Sequence, residues 1–210
     1  MPVKRFWIPV SLILLILSAS AAAQEEKNEV GVVIGRTFIA DQGVQGVSTF
    51  DTNLHFGKGL TLEGDYARHL WGRGFFQLSG EVPVVINFDE KVHFSVNLVP
   101  KDYKSFFVTP SLRANMFATN AVSPWLSFGG GFGHFSENSQ LEFFGPNPGQ
   151  TGTTTSVIQF GGGLDVRPWK RLGFRGEVRD YDSGLPQLNV NTGKSRQHNL
   201  YVGGGIVWRF

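Results

Sequence analysis

The stretch that decides the fold lies at residues 74–87 and reads GFFQLSGEVPVVIN. Its even positions are apolar or glycine, whereas its odd positions include the polar Gln77 and Glu81. Alternation with a period of two is typical of a β-strand with one apolar and one polar face. The same alternation recurs at residues 104–117 and 154–167, and we find no convincing helical stripe. The sequence therefore predicts an all-β fold.

Alternation along the rest of the chain predicts eight strands, many of them long enough to cross a bilayer as tilted strands of about 9–11 residues. Their approximate bounds are 29–38, 58–70, 74–87, 104–117, 122–135, 154–167, 171–182 and 197–210. The connections alternate in length: short turns at 71–73, 118–121 and 168–170, and long loops at 39–57, 88–103, 136–153 and 183–196. This alternation is typical of membrane-spanning β-barrels.

The N-terminus has the features of a secretory signal peptide. Two basic residues precede an apolar run over residues 6–17, and Ala21-Ala22-Ala23 follows it. The run is short for a membrane-spanning helix, and the small residues after it are typical of a cleavage site. We therefore predict a signal peptide over residues 1–23 and an exported outer-membrane β-barrel domain over residues 24–210. Cleavage would leave the mature chain with no net charge.

The composition excludes several classes of protein. The 210 residues include no cysteine, and 19 Lys and Arg balance 17 Asp and Glu. The lack of cysteine excludes disulfide scaffolds, thiolate metal sites and cysteine nucleophiles. The even charge excludes a basic nucleic-acid binder, so we expect no nucleic-acid partner. The histidines lack the spacing of a metal motif, and we expect no metal and no cofactor.

Charged residues on the polar strand faces decide between two predicted folds, a barrel and a soluble β-sandwich. Five acids and five arginines fall on one side of the predicted strands: Glu63, Asp65, Glu81, Asp165, Glu177, Arg113, Arg167, Arg175, Arg179 and Arg209. A sandwich core cannot bury so many charges, whereas a barrel lumen can pair each with its neighbours. We predict an eight-stranded antiparallel up-and-down transmembrane β-barrel with its lumen closed by an ion-pair network.

Tryptophan and glycine support this interpretation. Four tryptophans lie in or near a predicted short turn or the C-terminus, and we expect them to form an aromatic belt at the periplasmic interface: Trp71, Trp125, Trp169 and Trp208. The 27 glycines are nearly twice the usual share. The triplets at 129–131, 161–163 and 203–205 lie near mid-height of their strands, where we expect them to leave room for lumen arginines.

Two features leave alternatives open. Pro83 and Pro110 lie inside predicted strands, although proline cannot donate a ladder hydrogen bond. They either share a bulge or mark the outer rim. Residues 46–56 either extend the barrel beyond the membrane or form an extra strand.

The mature chain resembles the OmpA-like group of eight-stranded outer-membrane β-barrel proteins. The resemblance is carried by residues 161–166 (GGGLDV), 173–180 (GFRGEVRD) and 201–210 (YVGGGIVWRF). The ending resembles the signal read by the barrel-assembly machinery, with the matching residues Gly205, Trp208 and Phe210. The resemblance implies a single-domain, monomeric protein of the outer membrane of a Gram-negative bacterium. Its implied partners are outer-membrane lipid, lipopolysaccharide and the assembly machinery.

Three classes of function follow from the fold. The expected one is a non-enzymatic structural or surface-interaction role, in which the long loops carry any extracellular ligand. The second is a hydrolase, because His134 and Ser136 have the His-x-Ser spacing of lipid A deacylases, with Glu137 or Glu142 as the candidate acid. This weak pattern recurs at residues 93–95. The third is a narrow channel, which eight strands with a charge-filled lumen disfavour.

Overall fold

The computed structural model describes residues 27–210, so the predicted signal peptide over residues 1–23 lies outside the described residues. In the described range, no helix is long and apolar enough to cross a membrane. The regular elements there are β1 (Asn28–Phe38), β2 (Gln42–Gly43), β3 (Asn53–Phe56), β4 (Leu60–Arg73), β5 (Phe76–His93), β6 (Asp102–Val108), β7 (Ser111–Met116), β8 (Val122–Glu137), β9 (Thr153–Val166), β10 (Leu172–Gly184) and β11 (Arg196–Arg209).

Nine of these strands close a ring with eight antiparallel positions. The order around the ring is β1, β4, β5, β6 followed by β7 in one position, β8, β9, β10 and β11. The ring closes where β11 pairs with β1, with Trp208 opposite Val30 and Leu200 opposite Phe38. A closed ring has no free edge strand. The predicted eight-stranded antiparallel barrel is confirmed.

One position of the ring is interrupted by proline. β6 ends at Val108 and β7 begins at Ser111, because Pro110 has no N–H to donate to the ladder. Opposite the gap lies Pro83 of β5, where β5 changes its partner from β6 to β7. The Pro83 carbonyl accepts a hydrogen bond from Thr109 N at 3.3 Å. The two prolines therefore share one irregularity in the barrel wall, as one of the two alternatives predicted.

The short and long connections lie at opposite ends of the barrel, which we call the short-turn end and the long-loop end. Residues 74–75, 117–121 and 167–171 form the short turns. The long loops, first to fourth in chain order, are 39–59, 94–101, 138–152 and 185–195. The prediction of a first turn at 71–73 was wrong. β4 continues through those residues and turns at Gly74, whose φ of 61° suits glycine.

The uncertain segment at residues 46–56 contributes a short extra strand. β2 pairs with β3, and β3 pairs in turn with the end of β5, where His55 lies opposite His93. The extra pairing sits in the first loop, beyond the ring of eight positions.

The outer face of the barrel is apolar. Outward side chains around the whole ring are exposed, among them Val32, Ile34, Leu62, Val84, Leu112, Phe128, Phe160, Val178, Val202 and Ile206. A continuous exposed apolar band of this kind is stable only against lipid.

The lumen is filled in two layers. The layer toward the short turns is charged. The layer toward the long loops contains a hydrophobic cluster, beside buried polar side chains such as Gln197 and Asn199. The cluster includes Val33, Val85, Phe107, Phe135, Val157, Tyr181 and Tyr201. Side chains from the loops continue it beyond the ring, including Ile39, Val44, Leu54, Phe94, Val99 and Leu188. We call this cluster the apolar plug.

Candidate functional site

The charged layer is organised around buried arginines. Arg175 lies on β10 and reaches three carboxylates. Its Nε donates to Asp165 Oδ1 at 2.8 Å, its Nη2 to Glu29 Oε1 at 2.6 Å, and its Nη1 to Asp65 Oδ1 at 3.2 Å. All four side chains are buried. One guanidinium thus joins strands β1, β4, β9 and β10 across the lumen.

Two further buried arginines, Arg179 and Arg113, also bind more than one carboxylate each. Arg179 Nη1 donates to Glu81 Oε1 at 2.7 Å. Its Nε lies 3.2 Å from Glu63 Oε1 and 3.3 Å from Glu177 Oε2. Arg113 Nη1 lies 3.3 Å from Glu81 Oε2, so Glu81 bridges two arginines. Charges buried in this way are tolerated because each is paired and hydrogen-bonded.

Glu29 is a central member of the network that the sequence analysis missed. It accepts hydrogen bonds from Arg113 at 2.6 Å and Arg175 at 2.6 Å, and from Arg209 at 2.7 Å. The indication was present in the sequence. Glu29 is the first odd position of β1, and the odd positions of β1 face inward with Val33.

Arg167 was predicted in the network but lies at a short turn. Its Nη2 donates to the main-chain carbonyls of Ala118 and Asn120, the latter at 2.9 Å. Arg167 follows the last residue of β9, where strand alternation no longer sets the direction of a side chain. Among the described residues, six carboxyl groups therefore share four guanidinium groups: Glu29, Glu63, Asp65, Glu81, Asp165 and Glu177 with Arg113, Arg175, Arg179 and Arg209.

The prediction that Trp125 belongs to the periplasmic belt was wrong. Trp125 is 1% exposed, and its Nε1 donates to Asp165 Oδ1 at 3.1 Å. The guanidinium carbons of Arg113, Arg175 and Arg179 lie 5.7, 5.2 and 4.9 Å from its ring centre. Odd positions of β8 face inward, so the Trp125 ring lies inside the lumen and makes cation–π contacts with these three arginines.

The other belt tryptophans lie on the outer face or at a short turn. Trp71, Trp169 and Trp208 are 55%, 59% and 48% exposed. Phe210 closes the ring, because its N–H donates to Asn28 O at 2.9 Å and its carbonyl accepts from Asn28 N at 3.0 Å. The role of the C-terminal residues in barrel assembly stays a prediction.

The candidate hydrolase residues bind separate partners. His134 Nδ1 lies 2.8 Å from Thr154 Oγ1, and its ring packs on Phe106 on the outer face. Ser136 is exposed and lies opposite Lys104 of β6. Neither contact prepares a serine nucleophile, because that requires the hydroxyl to be bonded to a base that an acid orients.

Both candidate acids are engaged away from His134. Glu137 Oε1 accepts from Gln187 N at 2.9 Å. Glu142 bonds to His93 Nδ1, and its second oxygen accepts from Phe94 N at 3.0 Å. His93 belongs to the second His-x-Ser pattern, but the hydroxyl of Ser95 donates to a main-chain carbonyl in the first loop at 2.6 Å. At this second pattern Glu142 and His93 are hydrogen-bonded to each other, but Ser95 is bonded to neither of them.

A cluster of histidines and acids lies at the long-loop end, and we call it the loop clasp: Asp41, Asp51, His55, His93 and Glu142. His55 Nδ1 lies 2.6 Å from Asp41 Oδ2, and His55 Nε2 lies 2.9 Å from Asp51 Oδ2. The His55 ring stacks on His93 with centroids 6.4 Å apart. Two carboxylates on one imidazole favour the state in which both ring nitrogens donate, which is the imidazolium. In the described part of the chain, no group of three or more such side chains is placed to hold a metal ion.

Residues 10–210 match the family model described as the outer membrane protein beta-barrel domain. The chain belongs to this family. The outer membrane β-barrel is similar to Neisserial surface protein A, with 12% identity, 87% of this chain and 97% of that chain covered, and a TM-score of 0.52. It is also similar to OprG from Pseudomonas aeruginosa, with 11% identity, 90% and 98% covered, and a TM-score of 0.52. These identities show the fold alone. The search of curated protein sequences gave no match.

The family membership fixes the location of this outer membrane β-barrel. The protein is integral to the outer membrane of a Gram-negative bacterium. In such barrels the short turns face the periplasm and the long loops face the exterior. The loop clasp therefore lies outside the membrane-spanning wall of the barrel.

Contacts within the loop clasp shift the pKa values of His55 and Asp51. Hydrogen bonds to Asp51 and Asp41 raise the pKa of His55 above its ordinary value. The hydrogen bond from His55 lowers the pKa of Asp51, with help from the Asn53 N–H. The stabilisation from charged His55 is complete below its ordinary pKa and is lost as the pH rises through the raised pKa. The contribution of Asp51 is present above its ordinary pKa and is lost as the pH falls through the lowered one.

Asp51→Asn is expected to bring the pKa of His55 down toward its ordinary value, because one of its two carboxylate partners becomes neutral. The measurement is an NMR titration of the histidine ring protons with the barrel in lipid nanodiscs. Asp182→Asn removes a loop-end carboxylate that pairs with Arg196 instead and should leave His55 unchanged. Equal His55 midpoints in Asp51→Asn and the unmodified protein would contradict the loop clasp.

Proposed function

We propose that the protein is a sealed, non-enzymatic outer-membrane barrel whose interlinked extracellular loops are its functional surface. The filling of the lumen along its whole length carries this proposal. The charged layer occupies the periplasmic half, and the apolar plug occupies the exterior half and continues into the loops. A channel would need a continuous open path, and the buried side chains of both layers close it.

The periplasmic mouth offers little space. A cavity of about 10 Å³ lies there, beside Glu29, Arg113 and Arg209. That volume is near the lower limit for a single water molecule. At this mouth the charged layer therefore leaves no room for a solute larger than water.

The long loops are bonded to one another. Main-chain and amide groups connect the first loop to the fourth, the fourth to the second, and the second to the third. The hydrogen bonds are Gln45 N to Asn191 O (2.7 Å), Asn189 Nδ2 to Leu98 O (3.1 Å) and Phe143 N to Asn97 Oδ1 (3.1 Å). Because the loops are held in place, a partner would meet a preformed surface at low entropic cost.

Exposed aromatic rings on these loops favour a surface-interaction role. Phe50, Phe143 and Phe144 project from the first and third loops and are exposed. Large aromatic side chains on a fixed scaffold are typical of binding surfaces, where they bury much apolar area. The separate engagement of His134, Ser136 and the candidate acids supports the non-enzymatic part of the proposal.

Planar bilayer recording tests the sealed lumen. The unmodified barrel is expected to give no steady ohmic conductance. Phe107 and Tyr181 stack face to face in the apolar plug, with ring centres 5.2 Å apart. The triple variant Phe107→Ser/Tyr181→Ser/Arg175→Ala opens the apolar plug and the charged layer together and is therefore expected to admit water and conduct. Phe106→Ser alters the adjacent, outward-facing ring and should stay silent. Steady conductance in the unmodified protein would overturn the proposal.

A further inference from the structure

Two exposed cations, Arg36 and Lys58, lie on neighbouring segments of the chain at the exterior rim. Arg36 is an outward residue near the end of β1, and its Nη1 donates to Lys58 O at 2.8 Å. Lys58 Nζ lies 5.7 Å from the centre of the Phe38 ring. Both cations are exposed. The hydrogen bond holds the guanidinium against the main chain of the lysine that precedes β4.

Other rim cations differ because they have carboxylate partners. Arg196 Nε lies 2.9 Å from Asp182 Oδ2, and His198 Nδ1 lies 2.7 Å from Asp180 Oδ2. Among the described ion pairs, none within 4.0 Å includes Arg36 or Lys58. The positive charge of this pair is therefore available to an external anion.

The position of the pair along the barrel indicates the class of anion. Arg36 lies opposite Leu60 on one side and Val202 on the other, and both are exposed, outward-facing residues. Further toward the membrane centre the wall is apolar, with Leu62 and Ile34 exposed. The pair thus lies near the exterior border of the apolar band, close to the level of the lipid headgroups.

We propose that Arg36 and Lys58 form a binding site for the phosphate group of an outer-leaflet glycolipid. The guanidinium offers planar, paired N–H donors to the phosphate oxygens, and the ammonium adds a second charge. The acyl chains of the same lipid would lie along Leu60, Leu62 and Val202. A free phosphate ion could use the two cations but would gain nothing from the apolar wall, so the site favours the lipid.

The test measures lipid binding in neutral detergent by native mass spectrometry. Three probes are used: bisphosphorylated lipid A, chemically dephosphorylated lipid A and inorganic phosphate. Arg36→Gln/Lys58→Gln is expected to lower the affinity for bisphosphorylated lipid A by about tenfold or more and to leave the dephosphorylated lipid unaffected. Lys104→Gln/Arg196→Gln removes the same charge from other rim positions and is expected to bind as the unmodified barrel does.

Two outcomes would overturn the proposal. Equal losses in both double variants would show a general effect of rim charge. Inorganic phosphate that binds as tightly as bisphosphorylated lipid A would assign the cations to a free anion. A slower-migrating band after heating in detergent verifies that each variant was folded. The single variant Lys58→Gln, at an exposed position, provides the same comparison if the double variant fails to fold.

Discussion

Replacing Arg175 with methionine is expected to lower the free energy of unfolding of the barrel by about 3–5 kcal/mol. The guanidinium bonds to Glu29, Asp65 and Asp165 in the lumen. Methionine fills much of the volume but leaves these buried carboxylates short of a partner. An uncompensated buried charge is the costly consequence of breaking such a group. Urea unfolding in lipid vesicles, followed by tryptophan fluorescence, measures the change.

The matched control is Arg196→Met at the exterior rim. Arg196 pairs with Asp182 at 2.9 Å, with the two side chains 36% and 23% exposed. Solvent screening limits such a pair to about 0–1 kcal/mol. If both variants lost the same stability, the lumen network would contribute no more than a surface pair, and the account of the closed lumen would be wrong.

The direction of the lumen residues was predictable because it depends on alternation alone. A period of two placed Arg175, Arg179 and Glu81 on one side of their strands, and that is where they lie. The same rule also assigns Trp125 inward. The belt prediction failed there because it used the distance of Trp125 from a turn and ignored the face of its strand.

The pairing within the lumen could not be predicted from the sequence. Glu29 and Arg175 are 146 residues apart and meet because β1 and β10 lie on opposite sides of β11 in the ring. That meeting depends on the register of β11 with each of its two neighbours, which the turns and the closure of the ring set together.

The apolar plug likewise could not be predicted from the sequence. Its loop members, such as Ile39, Val44 and Leu188, stand singly in irregular segments where no period marks a buried face. Only the folding of the loops over the barrel mouth brings them together. The sequence therefore predicted the loops as the recognition surface and did not predict that they also seal the lumen.

The glycine triplets have two functions in the barrel, of which the sequence predicted one. A β-carbon at Gly161 would lie 2.6 Å from Gln159 Nε2, 2.7 Å from Ser127 Oγ and 3.0 Å from Arg179 Cγ, so this glycine gives room to lumen side chains that include an arginine. Gly205 is different. A β-carbon at Gly205 would overlap the carbonyl oxygen of Val32 and lie 2.6 Å from Val33 Cα. The neighbouring main chain, and not a side chain, excludes any larger residue at this position.

Gly205→Ala is therefore expected to prevent most of the chain from folding into detergent micelles or vesicles. β11 is held by β10 on one side and β1 on the other, so the main chain cannot move away from the new methyl group without breaking a ladder. Gly204→Ala is the matched control from the same triplet. Its β-carbon would meet Arg175 O at 3.7 Å, an ordinary contact, and alanine is expected to be neutral or to stabilise the barrel by about 0.4–1 kcal/mol.

The same pair of variants distinguishes a steric role of Gly205 in folding from a role in recognition by the barrel-assembly machinery. Refolding of the purified chain uses no assembly machinery, so a steric effect must appear there as a loss of the heat-modifiable band in Gly205→Ala and not in Gly204→Ala. If Gly205→Ala refolds normally but fails to reach the outer membrane in cells, Gly205 acts through the assembly signal and the steric explanation is wrong. Because the overlap is with main-chain atoms of a closed ring, we expect the loss in both settings.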